Sequence, residues 1–240
     1  MTPATVSRGI TFSRLRRILW RALLTLVALT VLPVVFFRWI PPPTSAFMVE
    51  RRVANLFRGE PQRVIRYRWI GWESISPHMR LAVVAAEDQK FPHHWGFDFE
   101  SIADAVQEKG ARGRLRGAST ISQQVARNLF LWPGRSYVRK GLEAYFTVLL
   151  EALWSKRRIL EVYLNIAEFA DGTYGVYTAS QTFFGKRPFE LQRQEAALLA
   201  AVLPNPARLH VRNPSAYVRE RSGWIEEQMA HLGPAYLGGL

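Results

Sequence analysis

An uncharged apolar run over residues 22–37 constrains the fold of this chain more than any other feature. Four arginines lie shortly before it, namely Arg14, Arg16, Arg17 and Arg21. Crossing a bilayer takes about 20 residues, and the flanking apolar residues supply the remainder if Arg21 and Arg38 extend their charges to the two interfaces. The run therefore predicts one transmembrane helix over residues 18–40. A short basic tail, residues 1–17, would lie in the cytoplasm and the rest of the chain outside.

Two other interpretations of this run are a cleaved secretory signal and a buried core helix. The run is long for the apolar part of a signal, and residues 36–43 lack the small residues of a cleavage site. An uncleaved anchor is therefore the prediction. The prolines at positions 41–43 favour a stiff, extended spacer over residues 41–46, followed by a domain over residues 47–240.

The chain is strongly basic, with 32 Lys and Arg against 19 Asp and Glu and a net charge of +13. Six of the arginines lie in the first 38 residues, yet the remainder is still basic. Such a charge suits an anionic lipid surface, a phosphate-bearing substrate or nucleic acid. The anchor argues against nucleic acid, and no RNA-binding aromatic signature, zinc finger or basic-zipper pattern argues for it. The absence of cysteine excludes a disulfide framework and a thiolate metal site.

The segment after the spacer has a mostly helical pattern without internal repeats. Thr120 and Gln123 fit a capping box that opens one helix, and Ser136 and Ser155 are suited to begin two more. Later apolar segments predict three further helices. The first ends at residue 184, and the other two cover residues 191–203 and 214–229. No sustained alternation predicts a large sheet, although residues 63–69 suit one short strand.

A Glu-Asp pair at positions 87 and 88 directly follows the apolar residues 81–86. A carboxylate at the end of an apolar segment is partly desolvated, which raises its pKa and makes it a better proton acceptor near neutral pH. Glu87 is therefore a candidate catalytic base. The alternative is structural, with Glu87 and Asp88 capping a helix or pairing with a nearby arginine.

Two further dense blocks favour the catalytic interpretation of Glu87. Residues 117–128 place Gln124 on one helix face with Arg127, because residues three or four apart are neighbours. The second block, residues 139–143, lines one side of the next helix with two cations and a carboxylate.

The segment over residues 108–117 combines glycines with four positive charges. One interpretation is a solvated loop, and the other is a basic flap over a membrane-proximal cleft. The two interpretations are compatible, because a solvated loop can also act as a flap.

With these blocks in this order, the chain resembles the family 51 glycosyltransferases of peptidoglycan synthesis, in particular the monofunctional biosynthetic peptidoglycan transglycosylases. The resemblance covers roughly residues 80–209. Its motifs are Glu87-Asp88-x-x-Phe91-x-x-His94-x-Gly96-x-Asp98, residues 117–128, Arg139-Lys140-x-x-Glu143, Ile159-Leu160-Glu161-x-Tyr163-Leu164-Asn165, Tyr174-Gly175 and Phe183-Phe184-Gly185-Lys186. Ordered motifs of this kind make the match specific.

The resemblance implies a mainly α, lysozyme-like helical glycosyltransferase domain outside the cytoplasmic (inner) membrane, carried by a single-pass anchor. The implied reaction polymerises lipid II into glycan strands and releases undecaprenyl diphosphate. The 4-hydroxyl of the incoming lipid II attacks the anomeric carbon of the growing strand with inversion. One displacement suffices, so no covalent sugar-enzyme intermediate is expected.

The resemblance also assigns roles to individual residues. Glu87 would be the base, and Glu143 is the second carboxylate of the family, which would orient the cations, act on the leaving group or help to hold a divalent ion. The substrate-binding residues it implies, mostly around the donor pyrophosphate, are Ser119, Thr120, Gln123, Gln124, Arg127, Asn128, Arg135, Arg139 and Lys140.

Some residues depart from the family pattern or are assigned to the fold. Arg127 stands where many members carry lysine, which keeps the charge but changes the geometry of phosphate binding, and Ala118 replaces a commoner glycine. His94 is expected to serve the scaffold rather than the chemistry, and Phe91, Gly96, Tyr163 and Asn165 are expected to be packing and turn residues. His93 and His94 have no recognisable third ligand that would indicate zinc. The transpeptidase motifs Ser-x-x-Lys and Lys-Thr-Gly are missing, so the sequence predicts a monofunctional enzyme.

No protein-held metal and no required cofactor are expected, with Mg or Mn accompanying the pyrophosphate as an open alternative. The expected partners are lipid II, the growing glycan strand and the membrane, without nucleic acid. Other cell-wall synthesis or division proteins form an open further class of partner.

Two rival functions remain at this stage. A lysozyme or lytic transglycosylase would also place a glutamate in a helical cleft, but a neutral glycan gives no reason for the cations that a pyrophosphate leaving group requires. An inactive membrane-anchored scaffold that binds lipid II or recruits division proteins would need neither Glu87 nor Glu143.

Overall fold

The computed structural model describes residues 12–59, 64–100, 119–134 and 136–240. The chain divides into two compact units, Met1–Ile40 and Pro41–Leu240. The predicted basic segment over residues 108–117 lies outside the described residues.

The first unit is built on one long helix, α1, which covers Phe12–Phe37. Its length and composition are sufficient to cross a bilayer. Large apolar side chains remain exposed along it, as at Leu24 and Leu29, which are 62% and 69% exposed. The predicted helix is therefore present, and it begins before residue 18 because the preceding arginines are good helix formers.

The second unit is mainly helical, as predicted. Its eight described helices are α2 (Ala46–Phe57), α3 (Pro77–Glu87), α4 (Ile121–Phe130), α5 (Tyr137–Leu153), α6 (Lys156–Ile166), α7 (Val176–Phe184), α8 (Arg193–Val202) and α9 (Ala216–Leu232). Short 3-10 turns cover Trp72–Ser74 and Pro188–Glu190.

The predicted helix ends are confirmed by their hydrogen bonds. Thr120 and Gln123 form a reciprocal capping box at the start of α4, while the side chains of Ser136 and Ser155 accept backbone N–H bonds at the starts of α5 and α6. Gly185 ends α7 in the left-handed conformation that glycine adopts without strain. Local chemistry thus sets where these helices begin and end.

Helix α2 was not predicted. It starts directly after the proline segment, where Ser45 accepts a hydrogen bond from the N–H of Met48. Met48 is fully buried, although most of the larger apolar side chains of α2 are exposed. The helix packs against α4.

A small three-stranded sheet has the order β1-β3-β2, with β1 (Arg66–Tyr67) parallel to β3 (Thr173–Tyr174) and β2 (Glu168–Ala170) antiparallel to it. The strand expected within residues 63–69 is confirmed, whereas β2 and β3 were not predicted, because strands this short show no alternation. Gly175 follows β3 with φ +81°, and a Cβ there would lie 2.5 Å from the carbonyl oxygen of Asn165.

The helices pack as two groups. Helices α3, α8 and α9 contact one another, and α4 packs against both α5 and α6. Fully buried aliphatic residues form the interior of both groups, among them Val84, Ala200 and Ile225 in the first and Val125 and Leu164 in the second. The carboxyl end of α3 reaches the second group, and the candidate site lies there.

Candidate active site

Glu87 is the last residue of α3, and its side chain is only 14% exposed. The helix orients it because the preceding residues, Val83 to Ala85, are buried in the core. Its Oε2 accepts a hydrogen bond from Nε2 of Gln124 over 3.0 Å. Its Oε1 is buried and makes no hydrogen bond within the described part of the chain, although Nη2 of Arg221 lies 3.6 Å from it.

The environment of Glu87 raises its pKa above the ordinary value for glutamate. Burial is the main cause, because removing a carboxylate from water disfavours its charged form, and the neighbouring charge of Asp88 acts in the same direction. The hydrogen bond from Gln124 and the positive charges of Arg221 and Arg127 oppose this shift. A carboxylate tuned in this way suits a general base.

Gln124 connects Glu87 to a buried tyrosine on α6. The hydroxyl of Tyr163 donates to Oε1 of Gln124 over 3.3 Å, and the same amide donates from its nitrogen to Glu87. Burial keeps the pKa of Tyr163 well above its ordinary value, so the hydroxyl stays protonated and can donate. The tyrosine therefore fixes which end of the amide faces the base.

Asp88 has a structural role next to the base. Both of its oxygens lie within 3.0 Å of Nε2 of His94, and one also accepts the N–H of Ile121 at the start of α4. The N–H of Gly96 donates to Nδ1 of His94, so the proton of the neutral ring is on Nε2, facing Asp88. The expectation that His94 belongs to the scaffold agrees with these contacts.

Helix α5 carries the predicted cation cluster. Glu143 is only 2% exposed and pairs with both neighbours, at 2.8 Å from Nη1 of Arg139 and 2.5 Å from Nζ of Lys140. Arg139 is itself buried, while the side chain of Lys140 is 51% exposed. The structure thus places Glu143 where it orients two cations, one of which remains accessible.

Helix α4 carries a third cation. Arg127 is half-buried, its Nε donates to the side chain of Asn128 over 3.1 Å, and its guanidinium lies 5.9 Å from the ring centroid of Phe47. Its positive charge acts to lower the pKa of Glu87. Arg127 therefore lies on the side of α4 that faces the base.

The remaining predicted substrate residues lie at the start of α4 or outside the described residues. Thr120 and Gln123 are buried and use their side chains in the capping box, and the hydroxyl of Thr120 also donates to the carbonyl of Gly96. Ser119 is half-buried and lines a cavity beside Glu87. Arg135 is among the residues that the structure does not describe. Substrate contact by these four residues stays a prediction.

Two cavities meet at Glu87. One, of about 280 Å³, is lined by the base and by residues that precede and open α4, including Asp98, Ser119 and Thr120. The other, of about 620 Å³, extends along α9 past Tyr217 and Arg221. Glu87, Ala86 and Trp224 line both. The base therefore lies where two substrate groups could be brought together.

Comparison with known proteins decides the family. The transglycosylase family model matches residues 54–230. The chain belongs to the transglycosylase family. Relatives named biosynthetic peptidoglycan transglycosylase include those of Pseudomonas putida, 54% identical over 94% of this chain and 95% of the relative, and Cronobacter sakazakii, 54% identical over 95% of this chain and 94% of the relative. That of Pseudomonas syringae pv. tomato is 52% identical, over 94% and 95% respectively.

The transglycosylase site contains residues that the sequence did not single out. Arg221 on α9 brings Nη2 to 3.6 Å from Oε1 of Glu87 and also donates to the carbonyl of Ala86. Trp224 lines both cavities, and Tyr163 was assigned to packing although its hydroxyl reaches Gln124. The sequence feature that could have identified the residues of α9 is the helical spacing of Tyr217, Arg221 and Trp224, which places them on one face of the helix.

The described side chains of this transglycosylase domain offer no set of ligands for a metal ion. Among the described residues, no group of three or more His, Asp or Glu side chains converges in a way that could hold an ion. Glu143, a potential ligand, is already paired with two cations, and a metal would have to displace them. The described residues therefore do not fit a protein-held metal.

Proposed function

We propose that this protein polymerises lipid II into peptidoglycan glycan strands by inverting glycosyl transfer, releasing undecaprenyl diphosphate. The observation that carries the proposal is the state of Glu87. Its carboxylate is desolvated, is held by Gln124 through one oxygen and has the other oxygen without a hydrogen bond in the described residues. The transglycosylase family and the names of the relatives support the reaction class.

In the proposed step, the 4-hydroxyl of the incoming lipid II lies against Glu87. Its oxygen forms a bond to the anomeric carbon of the donor, while the bond from that carbon to the phosphate oxygen breaks. The hydroxyl proton passes to Glu87, and the bonding electrons leave with the undecaprenyl diphosphate. A single displacement from the face opposite the leaving group inverts the anomeric carbon.

The cations of α4 and α5 would stabilise the charge that develops on the leaving group. Arg127, Arg139 and the accessible Lys140 are suited to this role because fixed positive charges act strongly where water is excluded. Glu143 would hold Arg139 and Lys140 in place. A hydrolase acting on neutral glycan would not need these cations.

Labelled lipid II incubated with the purified full-length protein in detergent tests the proposal. We expect a polymer that a muramidase digests, and we expect Glu87→Gln to lower its formation by roughly 10²–10⁴-fold, the usual contribution of general base catalysis. Glu73→Gln is the matched control, because Glu73 is a surface carboxylate with a side chain that is 80% exposed.

Each other outcome has a distinct meaning. Normal polymerisation by Glu87→Gln would exclude Glu87 as the base. Cleavage of preformed glycan without polymerisation would move the chain to a lytic function. Lipid II binding with neither activity would favour a scaffold.

We also propose that α1 anchors the protein in the cytoplasmic membrane with the N-terminus inside. The apolar length of α1 and the arginines near its N-terminal end support this topology. Because the chain has no cysteine, Ser7→Cys and Ala207→Cys can be labelled in spheroplasts with a membrane-impermeant maleimide. Labelling is expected at position 207 only, and labelling at position 7 without lysis would reverse the topology.

A divalent ion, if one takes part, would arrive with the substrate's pyrophosphate. Polymerisation measured with EDTA and with added Mg²⁺ or Mn²⁺ tests this. Full activity in EDTA would remove the ion from the proposal.

A further inference from the structure

The larger cavity beside Glu87 has a wall that the proposed chemistry does not use. This cavity, of about 620 Å³, is lined on one side by Ala86, Glu87 and Pro204 and on the other by four residues of α9, which are Tyr217, Glu220, Arg221 and Trp224. Its volume is that of a site for a small organic ligand, since such sites are about 300–1,000 Å³. The packing of α9 against α3 and α8 fixes this wall.

Two aromatic rings of this wall remain accessible. Tyr217 is 49% exposed and Trp224 is 42% exposed. They are seven residues apart on one helix, which places them on the same face about 10.5 Å apart along the axis. Both line the cavity, so their accessible surface belongs to the site and not to the outer surface alone.

The groups between the rings are polar. Arg221 lies one turn from each ring and is close enough to Glu87 to lower its pKa, and Glu220 is exposed at the cavity edge. Apolar ring faces beside charged donors and acceptors match a ligand that has one apolar face and a polar rim. A pyranose ring has this chemistry, with C–H bonds on its faces and hydroxyl and acetamido groups around its edge, and the spacing of the rings is comparable to the length of a disaccharide.

We propose that Tyr217 and Trp224 form a stacking platform for N-acetylhexosamine rings of the glycan substrate beside Glu87. This inference depends on the proposed function for the source of the sugar, but the binding itself does not require turnover. The rings come either from the disaccharide of the incoming lipid II or from the growing strand. Stacking on Trp224, which lines both cavities, holds a sugar hydroxyl near the base.

Soluble N-acetylglucosamine oligomers are a direct probe, because they carry the sugar without lipid or pyrophosphate. Their binding to the full-length protein in detergent is measured by calorimetry and by the change in tryptophan fluorescence, of which Trp224→Phe removes only the contribution of Trp224 among the eight tryptophans. Tyr217→Ala and Trp224→Ala are each expected to weaken binding by about tenfold, while Tyr217→Phe and Trp224→Phe, which keep an aromatic face, retain most of it. Phe189→Ala is the control, since Phe189 is 63% exposed and lines neither cavity.

Kinetics with lipid II distinguish the two sources of the sugar. A raised KM for lipid II with unchanged kcat in the alanine variants assigns the platform to the incoming disaccharide. Unchanged KM with shorter glycan products assigns it to the growing strand. Thermal unfolding of each variant, compared with wild type, separates these effects from a folding defect.

The proposal is overturned if the folded alanine variants bind the oligomers, use lipid II and extend strands as the wild type does. Failure of the proposed function is a different result, in which the wild type itself forms no polymer. The oligomer titration would still test the platform in that case.

Discussion

The side-chain nitrogen of Gln124 lies 3.0 Å from Oε2 of Glu87 and donates a hydrogen bond to it. This contact makes Oε2 a hydrogen-bond acceptor and leaves Oε1, which has Nη2 of Arg221 at 3.6 Å, without a hydrogen bond in the described part of the chain. An amide can be turned around to present its oxygen instead, and that oxygen would repel the charged carboxylate. The hydroxyl of Tyr163, which donates to the amide oxygen, selects the productive orientation.

Removing that hydroxyl should impair the base without breaking the fold. We expect Tyr163→Phe to slow polymerisation by about tenfold, since a lost hydrogen bond to an uncharged group costs about 1 kcal/mol and the unpaired amide oxygen adds to this. In a Gln124→Leu background the same substitution should have little further effect, because the hydroxyl acts through the amide. Initial rates for the four proteins of this cycle check the prediction.

The matched control for this cycle is Tyr67→Phe, which removes a hydroxyl that donates to the carbonyl of Pro42. It should leave the rate unchanged. Additive effects of Tyr163→Phe and Gln124→Leu would show that the tyrosine acts by another route.

The pH dependence of the reaction should report Glu87. Its burial raises its pKa, and only the ionised form accepts a proton, so kcat should be lost as pH falls through a value above the ordinary glutamate pKa of about 4.3. Arg221→Met removes a charge that lowers this pKa and should move the loss of activity to higher pH. An unshifted profile in Arg221→Met would separate the arginine from the titration of the base.

Glu87→Gln should stabilise the protein at neutral and higher pH. A raised folded-state pKa means that the contribution of Glu87 to stability is present below its unfolded-state pKa and is lost as pH rises through the folded-state value. Glutamine removes the buried charge, so the variant gains stability above that pH and none in acid. Thermal unfolding at several pH values measures this, with Glu73→Gln expected to be neutral throughout. Equal stability at all pH values would mean that the charge of Glu87 is not disfavoured by folding.

Glu143→Gln should be destabilising as well as less active. Arg139 is buried against Glu143, and removing one partner of a buried ion pair typically costs about 3 kcal/mol or more. Urea unfolding and polymerisation rates on the same samples check this, and Glu195→Gln provides the control of a salt bridge to Lys186 elsewhere. A stable but inactive Glu143→Gln would point instead to direct chemistry by this carboxylate.

Sequence reasoning located the helix ends and the base because their signals are local. Thr120, Ser136 and Ser155 cap helices through residues three positions away, and the apolar residues before Glu87 reveal its desolvation. Arg221 approaches Glu87 from a helix more than a hundred residues later, a proximity that no local pattern contains. Tyr163 was predicted to be a packing residue, and its ring is indeed buried, but only the structure shows that its hydroxyl reaches Gln124.

The bond from the N–H of Ile121 to Asp88 has a consequence for engineering this protein. Asp88 is the immediate neighbour of the base, and Ile121 begins the helix that carries Gln124. This hydrogen bond and the one from Thr120 to Gly96 therefore join the residues that follow α3 directly to the start of α4. These two hydrogen bonds, and not the length of the chain between α3 and α4, set the distance between Glu87 and Gln124. Tags or reporter sequences inserted between residues 100 and 119 should therefore leave the pairing of base and amide intact.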